Sequence, residues 1–195
     1  MRNIYILIGP PLSGKDTQGD LLELSLGGIP RFSMGHLIRE ARKTDTVFEK
    51  AYSEYSMQGK HLPNEIKFPL MVEKMDEAQN TGFILDNFPG TAEDIEYLER
   101  YLQGKPLLTI KAVVSLNVSE EEMKRRFEIA KEKRGRADDT IENVHDRRMI
   151  QDHDRIAVLD HYRGKRLLSE IDGQDTVENV HDKIMNAIRS TENEA

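Results

Sequence analysis

The chain contains no cysteine among its 195 residues, and this absence excludes several kinds of chemistry. Without cysteine there can be no disulfide bond, no thiolate nucleophile and no cysteine-ligated zinc site. No apolar run approaches the roughly 20 residues needed to span a bilayer. The short apolar run that follows Met1-Arg2-Asn3 is too short for a signal peptide. We therefore expect a cytoplasmic protein without membrane contact, although the lack of cysteine alone fixes no compartment.

An excess of positive charge is also lacking. The 28 lysines and arginines are outnumbered by 35 aspartates and glutamates, which gives a net charge of −7. An acidic surface disfavours nucleic-acid binding, and the basic clusters at residues 124–126 and 131–136 lack aromatic residues and are interleaved with acids. We expect no nucleic-acid partner. The length and the hydrophobic content of 37% suit one domain over residues 1–195, which we expect to be a monomer.

A glycine-framed loop follows the first apolar run. Residues 4–8 are apolar without alternation, as in a parallel strand buried on both faces. Residues 9–15 match G-x-x-x-x-G-K, in which backbone N–H groups surround a phosphate and the lysine reaches the outer phosphates. Residues 16–26 are helical by composition, so that a helix N-terminus would favour the anion. This order predicts a nucleotide-binding site, with a plain glycine-proline turn as the alternative.

The residue after the lysine departs from the motif. Asp16 stands where a serine or threonine is usual, and the hydroxyl comes one place later, at Thr17. The carboxylate suits the first turn of a helix, but it would repel a triphosphate if it faced inward, or recruit Mg²⁺ if it lay beside the phosphates. The sequence leaves these alternatives open.

Apolar runs alternate with helical patterns along the chain. Further strands are predicted at residues 82–86, 112–118 and 167–171. Further helices are predicted at residues 65–80, 91–102, 119–133, 141–161 and 176–190. Such alternation predicts an α/β fold with a parallel sheet covered on both faces.

Several motifs occur in the order and spacing of one enzyme family. They are GPPLSGKDTQ, RFSMGHLIR, GFILDNFPGT, GRADD and the later Arg147. With these motifs the chain resembles the adenylate kinase-like nucleoside monophosphate kinases of the short-lid type, from end to end. The resemblance implies a P-loop NTPase fold of three layers, α/β/α, with a five-stranded parallel sheet. It also implies a small helical flap that binds the nucleoside monophosphate, at about residues 33–62, and a short lid at about residues 129–139.

The resemblance implies ATP and a nucleoside monophosphate as substrates, with Mg²⁺ as cofactor. The implied ATP-binding residues are Gly9, Leu12, Ser13, Gly14, Lys15, Asp16, Thr17 and Arg126. The implied monophosphate-binding residues are Met34, Arg39, Leu62, Gly90 and Asp94. Lys15, Arg136 and Arg147 are the implied catalytic residues. Asp86, at the end of a buried strand, is expected to hold Mg²⁺ through water, and a helix-capping role is the alternative.

Four departures from the family pattern weaken the expectation of catalysis. Gly90 and Ala130 stand where the family has arginines that contact phosphate, and Leu12 and Asp16 replace glycines of the loop. Removing one positioned donor costs about two to three powers of ten in rate. The two missing guanidinium groups would silence the reaction unless a neighbouring cation replaced them, and the candidates are Arg31, Lys131 and Arg134.

Acceptor choice also looks altered. Asp94 matches the family's adenine-reading glutamine, and an ionised carboxylate only accepts hydrogen bonds. It would pair better with the edge of guanine, or with the amino group of cytosine, than with adenine. Met34 and His36 change the same pocket. We expect AMP to be a poor acceptor; the alternative is that Asp94 is an exposed helix residue.

Three functions therefore stay open at this point. The first is an ATP-dependent nucleoside monophosphate kinase. The second is a nucleotide-binding pseudokinase that uses its hinged scaffold to regulate a partner, which the residues Gly90 and Ala130 favour. The third is a kinase for another small metabolite that accepts a phosphoryl group.

Overall fold

The structure is a computed structural model, and it describes residues 1–134 and 140–193. Five parallel strands form one sheet: β1 (Arg2–Ile8), β2 (Arg31–Ser33), β3 (Phe83–Asp86), β4 (Leu108–Asn117) and β5 (Leu168–Asp172). Their order across the sheet is β2-β3-β1-β4-β5. The strand that precedes the glycine-framed loop therefore lies at the centre, and the loop leaves from the middle of the sheet's carboxyl edge.

The helices are α1 (Lys15–Ser25), α2 (Met34–Ala41), α3 (Thr46–Glu54), α4 (Asn64–Glu77), α5 (Ala92–Gln103), α6 (Glu120–Arg134), α7 (Ile141–Gly164) and α8 (Val177–Asn193). Threonine hydroxyls cap three of them within the described residues. Thr91 accepts from the Asp94 N–H, Thr140 from the Asn143 N–H and Thr176 from the Asn179 N–H. None of the helices within the described residues is long and apolar enough to cross a membrane.

The sheet is buried on both faces, and the alternation of side chains along β1 decides which core each residue joins. Ile4, Ile6 and Ile8 pack with α4, α5 and α7 in the larger core, whose members include Met71, Met75, Leu98, Val158 and Tyr162. Tyr5 and Leu7 pack on the opposite face with α1 and α8, whose buried members include Leu22, Val180, Ile184 and Ile188. This arrangement confirms the three-layer α/β/α fold.

The predicted strands differ from the observed ones in two places. β2 was not predicted from the sequence, because it has three half-buried residues and begins with an arginine. β4 begins at Leu108 rather than at residue 112, since Thr109 and Lys111 interrupt the apolar pattern without ending the strand. The other predicted strands and the helices agree with the structure to within a few residues.

The segment between β2 and α4 is helical. It contains α2, α3 and a single 3₁₀ turn at Ser56–Gln58, and it spans the range predicted for the flap. The range predicted for the lid begins in the last turns of α6, while residues 135–139 lie outside the described part of the chain. The prediction that Arg136 is catalytic therefore concerns a residue outside the described ranges.

Candidate active site

The loop between β1 and α1 is tightly folded. A Cβ atom on Gly9 would lie 2.5 Å from Ser13 Oγ and 3.2 Å from the Leu116 carbonyl oxygen, so only glycine fits there. Gly14 adopts a left-handed conformation, with φ of 91°, directly before α1. Ser13 is 2% exposed, and its hydroxyl has no hydrogen-bond partner within the described residues. The loop thus brings a buried hydroxyl without a partner among the described residues to a helix N-terminus, where an anion is favoured.

Lys15 begins α1 and lies between two carboxylates. Its ammonium nitrogen is 3.0 Å from Asp16 Oδ1 and 3.0 Å from Asp86 Oδ1. Burial alone would lower the pKa of Lys15, but the Asp86 and Asp16 carboxylates outweigh burial and raise it. Lys15 is therefore a positive charge at neutral pH. The side chain of Asp16 is 67% exposed.

A cavity of about 700 Å³ lies beside the loop. Of the residues predicted from the sequence, it is lined by Gly9, Leu12, Ser13, Gly14, Lys15, Asp16, Thr17, Arg39, Arg126 and Arg147. The cavity thus joins the loop to Arg39 of α2 and to Arg147 of α7. Ala130, where an arginine was expected from the resemblance, also lines it. Residues that the sequence did not single out complete the wall: Tyr52, Ser56, Gly59, Lys60, Asn87, Gln151 and Gly173.

Four predicted acceptor-binding residues do not line this cavity. Met34, Leu62 and Asp94 are buried at 7%, 3% and 1% exposure, and Gly90 is half-buried. Met34 and Leu62 lie within the range predicted for the flap, whereas Gly90 and Asp94 lie before and in the first turn of α5. Towards α2 and the flap, the cavity is instead lined by Ser33, Gly35, Arg39, Tyr52 and Lys60.

Arg126 crosses the loop. Its guanidinium donates to the carbonyl oxygens of Leu12 and Gly173, and its Nε donates to Glu122 at 2.7 Å. The hydrogen bonds that Arg125 and Arg126 donate to Glu122 lower the pKa of this carboxyl to about 2. Arg126 is thereby held against the loop at the cavity wall, and its role in ATP binding stays a prediction.

Gly35 and Gly59 leave space for Arg39 and Arg147, which line the cavity near the flap. A Cβ atom on Gly35 would lie 3.1 Å from Arg39 Nη1, so the guanidinium folds back over its own helix. Gly59, at a φ of 76°, brings the flap against α7, since a Cβ there would lie 3.1 Å from the Arg147 Cα atom. The backbone of the flap and the helix that carries Arg147 are therefore in close contact.

Asp86 is fully buried at the carboxyl end of β3 and contacts a cation with each oxygen. Oδ1 lies 3.0 Å from Lys15 Nζ, and Oδ2 accepts from Arg31 Nη1 at 2.9 Å. The alternative of a helix-capping role is wrong, because the next helix is capped by Thr91. Arg31 also contacts Asp20 and Glu23, so it is anchored beneath the loop and does not line the cavity as a replacement for a missing arginine.

Asp94 is not the exposed helix residue of the sequence-based alternative. Its Oδ1 lies 2.8 Å from Lys67 Nζ, and its Oδ2 accepts from the Gly90 N–H at 2.9 Å. Both side chains are almost fully buried, at 3% exposure for Lys67 and 2% for Asp94. The two residues are 27 positions apart in the sequence, on α4 and α5. Direct contact between Asp94 and a base therefore requires Lys67 to release it.

His61 occupies the space beside Gly90. A Cβ atom on Gly90 would lie 2.9 Å from His61 Cε1. Burial and the nearby Lys67 ammonium lower the pKa of His61, so the imidazole is neutral at neutral pH. The position of the missing arginine is thus filled by an uncharged ring rather than by another cation.

Leu12 adopts a left-handed conformation, with φ of 64°, at a position where the resemblance predicts glycine. Its side chain packs against Met123, Phe127 and Val144. Both Leu12→Ala and Leu12→Gly remove this packing, but only Leu12→Gly removes the backbone strain. We expect the glycine variant to be more stable than the alanine variant by about 1 kcal/mol in urea unfolding. Equal stability, or a more stable alanine variant, would show that the strain at residue 12 is negligible.

Comparison with known proteins agrees with this geometry. The family model described as adenylate kinase matches residues 7–167. The chain is 33% identical to an adenylate kinase of Cyanothece sp. over 97% of this chain and 96% of the relative. It is 34% identical to an adenylate kinase of Corynebacterium urealyticum over 86% of this chain and 90% of the relative. These matches support a nucleotide-binding phosphotransferase with a P-loop. The chain belongs to the adenylate kinase family.

Proposed function

We propose that this chain is an ATP-dependent nucleoside monophosphate kinase whose preferred acceptor is not AMP. The observation that carries the proposal is that one cavity joins Lys15 and its loop to the two arginines Arg39 and Arg147. Transfer between two anions needs cations on both sides of the reacting phosphoryl group, and the cavity supplies them.

On the donor side, ATP binds along the loop. The loop N–H groups and the buried Ser13 hydroxyl hold the phosphates, and Lys15 moves from Asp86 towards the outer phosphates. Thr17 is exposed at the mouth of the cavity, and Arg126 bounds the nucleotide on the side of Gly173. These contacts position the γ-phosphoryl group in the middle of the cavity.

On the acceptor side, Arg39 binds the phosphate group of the nucleoside monophosphate. An oxygen of that phosphate attacks the γ-phosphorus, and the bond from this phosphorus to the oxygen that bridges the β-phosphate breaks. The electron pair leaves with ADP, and the acceptor becomes a nucleoside diphosphate. Arg147 neutralises charge on the transferring group, and we propose the same for Arg136 when the lid closes.

The donor set suits magnesium that arrives with ATP. Asp86 Oδ1 is buried and accepts no hydrogen bond within the described residues, although Lys15 Nζ lies nearby. Once Lys15 turns to the phosphates, this oxygen can accept from a water of the metal's shell. No group of three or more possible ligands lies together in the described ranges, so the nucleotide phosphates would be the main ligands. Bound magnesium would supply further charge neutralisation at the β- and γ-phosphates.

The acceptor preference follows from the state of Asp94. At residue 94 a carboxylate stands in place of a side-chain amide, which could pair with both the donor and the acceptor on the edge of adenine. The carboxylate is engaged by Lys67 and Gly90, so a base that binds here must accept this fixed arrangement or displace Lys67. Guanine and cytosine, which offer N–H groups to a carboxylate, are the preferred bases under this proposal.

A nucleotide-binding pseudokinase is the second candidate. It is favoured by Ala130, which lines the cavity without a guanidinium, and by the neutral His61 that fills the space beside Gly90. A reversion that restores the two arginines must also remove His61, because Gly90→Arg alone would collide with the ring. The triple variant His61→Leu/Gly90→Arg/Ala130→Arg therefore tests whether restoring the two arginines restores kinase activity.

The first experiment is an ADP-release assay with Mg·ATP and each common ribo- and deoxyribonucleoside monophosphate. We expect turnover with GMP or CMP that exceeds turnover with AMP by about tenfold or more, which is the worth of one good base contact. Turnover with AMP that equals or exceeds both would contradict the acceptor proposal. If the wild type binds ATP without turnover, and the triple variant gains turnover, the pseudokinase would be favoured. Turnover only with acceptors that are not nucleotides would favour a kinase for another metabolite.

A further inference from the structure

Arg31 is the most heavily anchored cation beside the nucleotide loop. Its guanidinium contacts Asp86 at 2.9 Å, Glu23 at 3.0 Å and Asp20, and its side chain is 16% exposed. Three carboxylates around one guanidinium fix its position far better than a single exposed pair would. Arg31 is thus a stationary charge under the loop.

The Arg31 side chain packs against α1 at Gly19. Gly19 lies inside the helix, where glycine is less favourable than alanine. A Cβ atom on Gly19 would lie 2.7 Å from each of Cδ, Nε and Nη1 of Arg31. Glycine at this position lowers the local stability of the helix, but it leaves the space through which the Arg31 guanidinium reaches Asp86.

Asp86 consequently has one fixed and one movable cation. Arg31 is fixed by its other carboxylates, whereas Lys15 Nζ contacts Asp86 without hydrogen-bond geometry and lines the cavity. If Lys15 moved to a phosphate and Asp86 had no second partner, a fully buried carboxylate would be left unpaired, which is strongly unfavourable. With Arg31 in place, Asp86 stays paired after Lys15 leaves.

We propose that Arg31 is a positioning residue for nucleotide binding: it keeps Asp86 neutralised, so that Lys15 is free to transfer from this carboxylate to the phosphates of ATP. The inference rests on the proposed binding of ATP at the loop. Arg31 itself touches neither the cavity nor the substrate. Its effect is transmitted through Asp86 to Lys15.

The test is calorimetric titration with ATP in the presence of EDTA, so that no metal contributes. We expect Arg31→Gln to weaken ATP binding by about tenfold or more, and Arg31→Lys to recover part of the loss. Arg163→Gln is the matched control, since Arg163 also bridges two carboxylates, Asp160 and Glu170, and does not line the cavity. It should bind ATP as the wild type does.

Two further variants separate positioning from a purely structural role. Gly19→Ala keeps every charge but displaces Arg31, so it should weaken ATP binding even though alanine favours the helix. If Arg31→Gln does not fold, the ATP affinity of Gly19→Ala tests the positioning role instead. In the Asp86→Asn background no buried carboxylate needs a cation, so Arg31→Gln should there change ATP affinity by less than about twofold. An equal loss with and without the Asp86 carboxylate would overturn the inference.

The outcomes also separate this inference from the proposed function. If the wild type binds ATP and both Arg31→Gln and Gly19→Ala bind it equally well, the positioning role is wrong and the kinase proposal stands. If the folded wild type does not bind ATP, the kinase proposal fails and the inference fails with it.

Discussion

Lys15→Ala is expected to lower kcat/KM for ATP by about a thousandfold or more. Lys15 is the cation that the loop brings into the cavity, and its removal takes away the positive charge that lies 3.0 Å from Asp16. The fold should survive the change, because Asp86 keeps its contact with Arg31. Steady-state ADP release, together with calorimetric ATP binding, measures both the loss of turnover and the loss of affinity.

The control for Lys15 is Lys43→Ala. Lys43 is 65% exposed and paired only locally with Glu40, so this variant should retain the activity of the wild type. If Lys15→Ala kept more than about a tenth of the wild-type kcat/KM, the loop would not be the site of transfer, and the proposed function would lose its central observation.

Lys67→Met is expected to lower the free energy of unfolding by about 3–5 kcal/mol, because it leaves the Asp94 carboxylate buried without its cation. Among the described residues, the Gly90 N–H would remain as its hydrogen-bond donor. Lys67→Met/Asp94→Asn should recover more than half of this loss, since neither residue then carries a charge and the asparagine oxygen still accepts from Gly90. Urea unfolding of the two variants and the wild type measures the difference.

A matched control lies on the same helix. Lys74 pairs with Glu77 at 2.9 Å, but its side chain is 34% exposed and that of Glu77 is 56% exposed, so Lys74→Met should cost no more than about 1 kcal/mol. A comparable loss for Lys67→Met and Lys74→Met would mean that the buried pair contributes no more than a surface pair.

The same buried pair predicts that Asp94→Gln restores adenine recognition only when Lys67 is also replaced.

The sequence predicted the centre of the molecule well, because the relevant interactions are local. β1, the loop and α1 follow one another without interruption, and their residue types require a strand, a tight turn and a helix N-terminus. The larger helices and the buried strand β3 could be recognised from hydrophobic pattern alone. The five-stranded sheet and the helical flap came from the family resemblance, since β2 is too short to leave a pattern of its own.

The interactions that the sequence did not predict join residues far apart in the chain. Taken alone, Asp94 predicts a base-recognising or an exposed carboxylate, whereas its state depends on Lys67 of another helix. The sequence offers Arg31 as a replacement for a missing arginine, yet three carboxylates and the space at Gly19 hold it below the loop. A single sequence carries no signal for such pairs, because their spacing follows from the packed layers and not from any local period.

The contact between Gly59 and Arg147 sets a limit on how the two sides of the cavity can approach each other. Because residue 59 has no side chain, the flap backbone packs directly against α7, and a Cβ atom at this position would lie 3.1 Å from the Arg147 Cα atom. A larger residue there would push the flap away from α7. Residue 59 therefore sets how closely the flap packs against α7 beside the cavity, and a wider gap would admit water to that cavity.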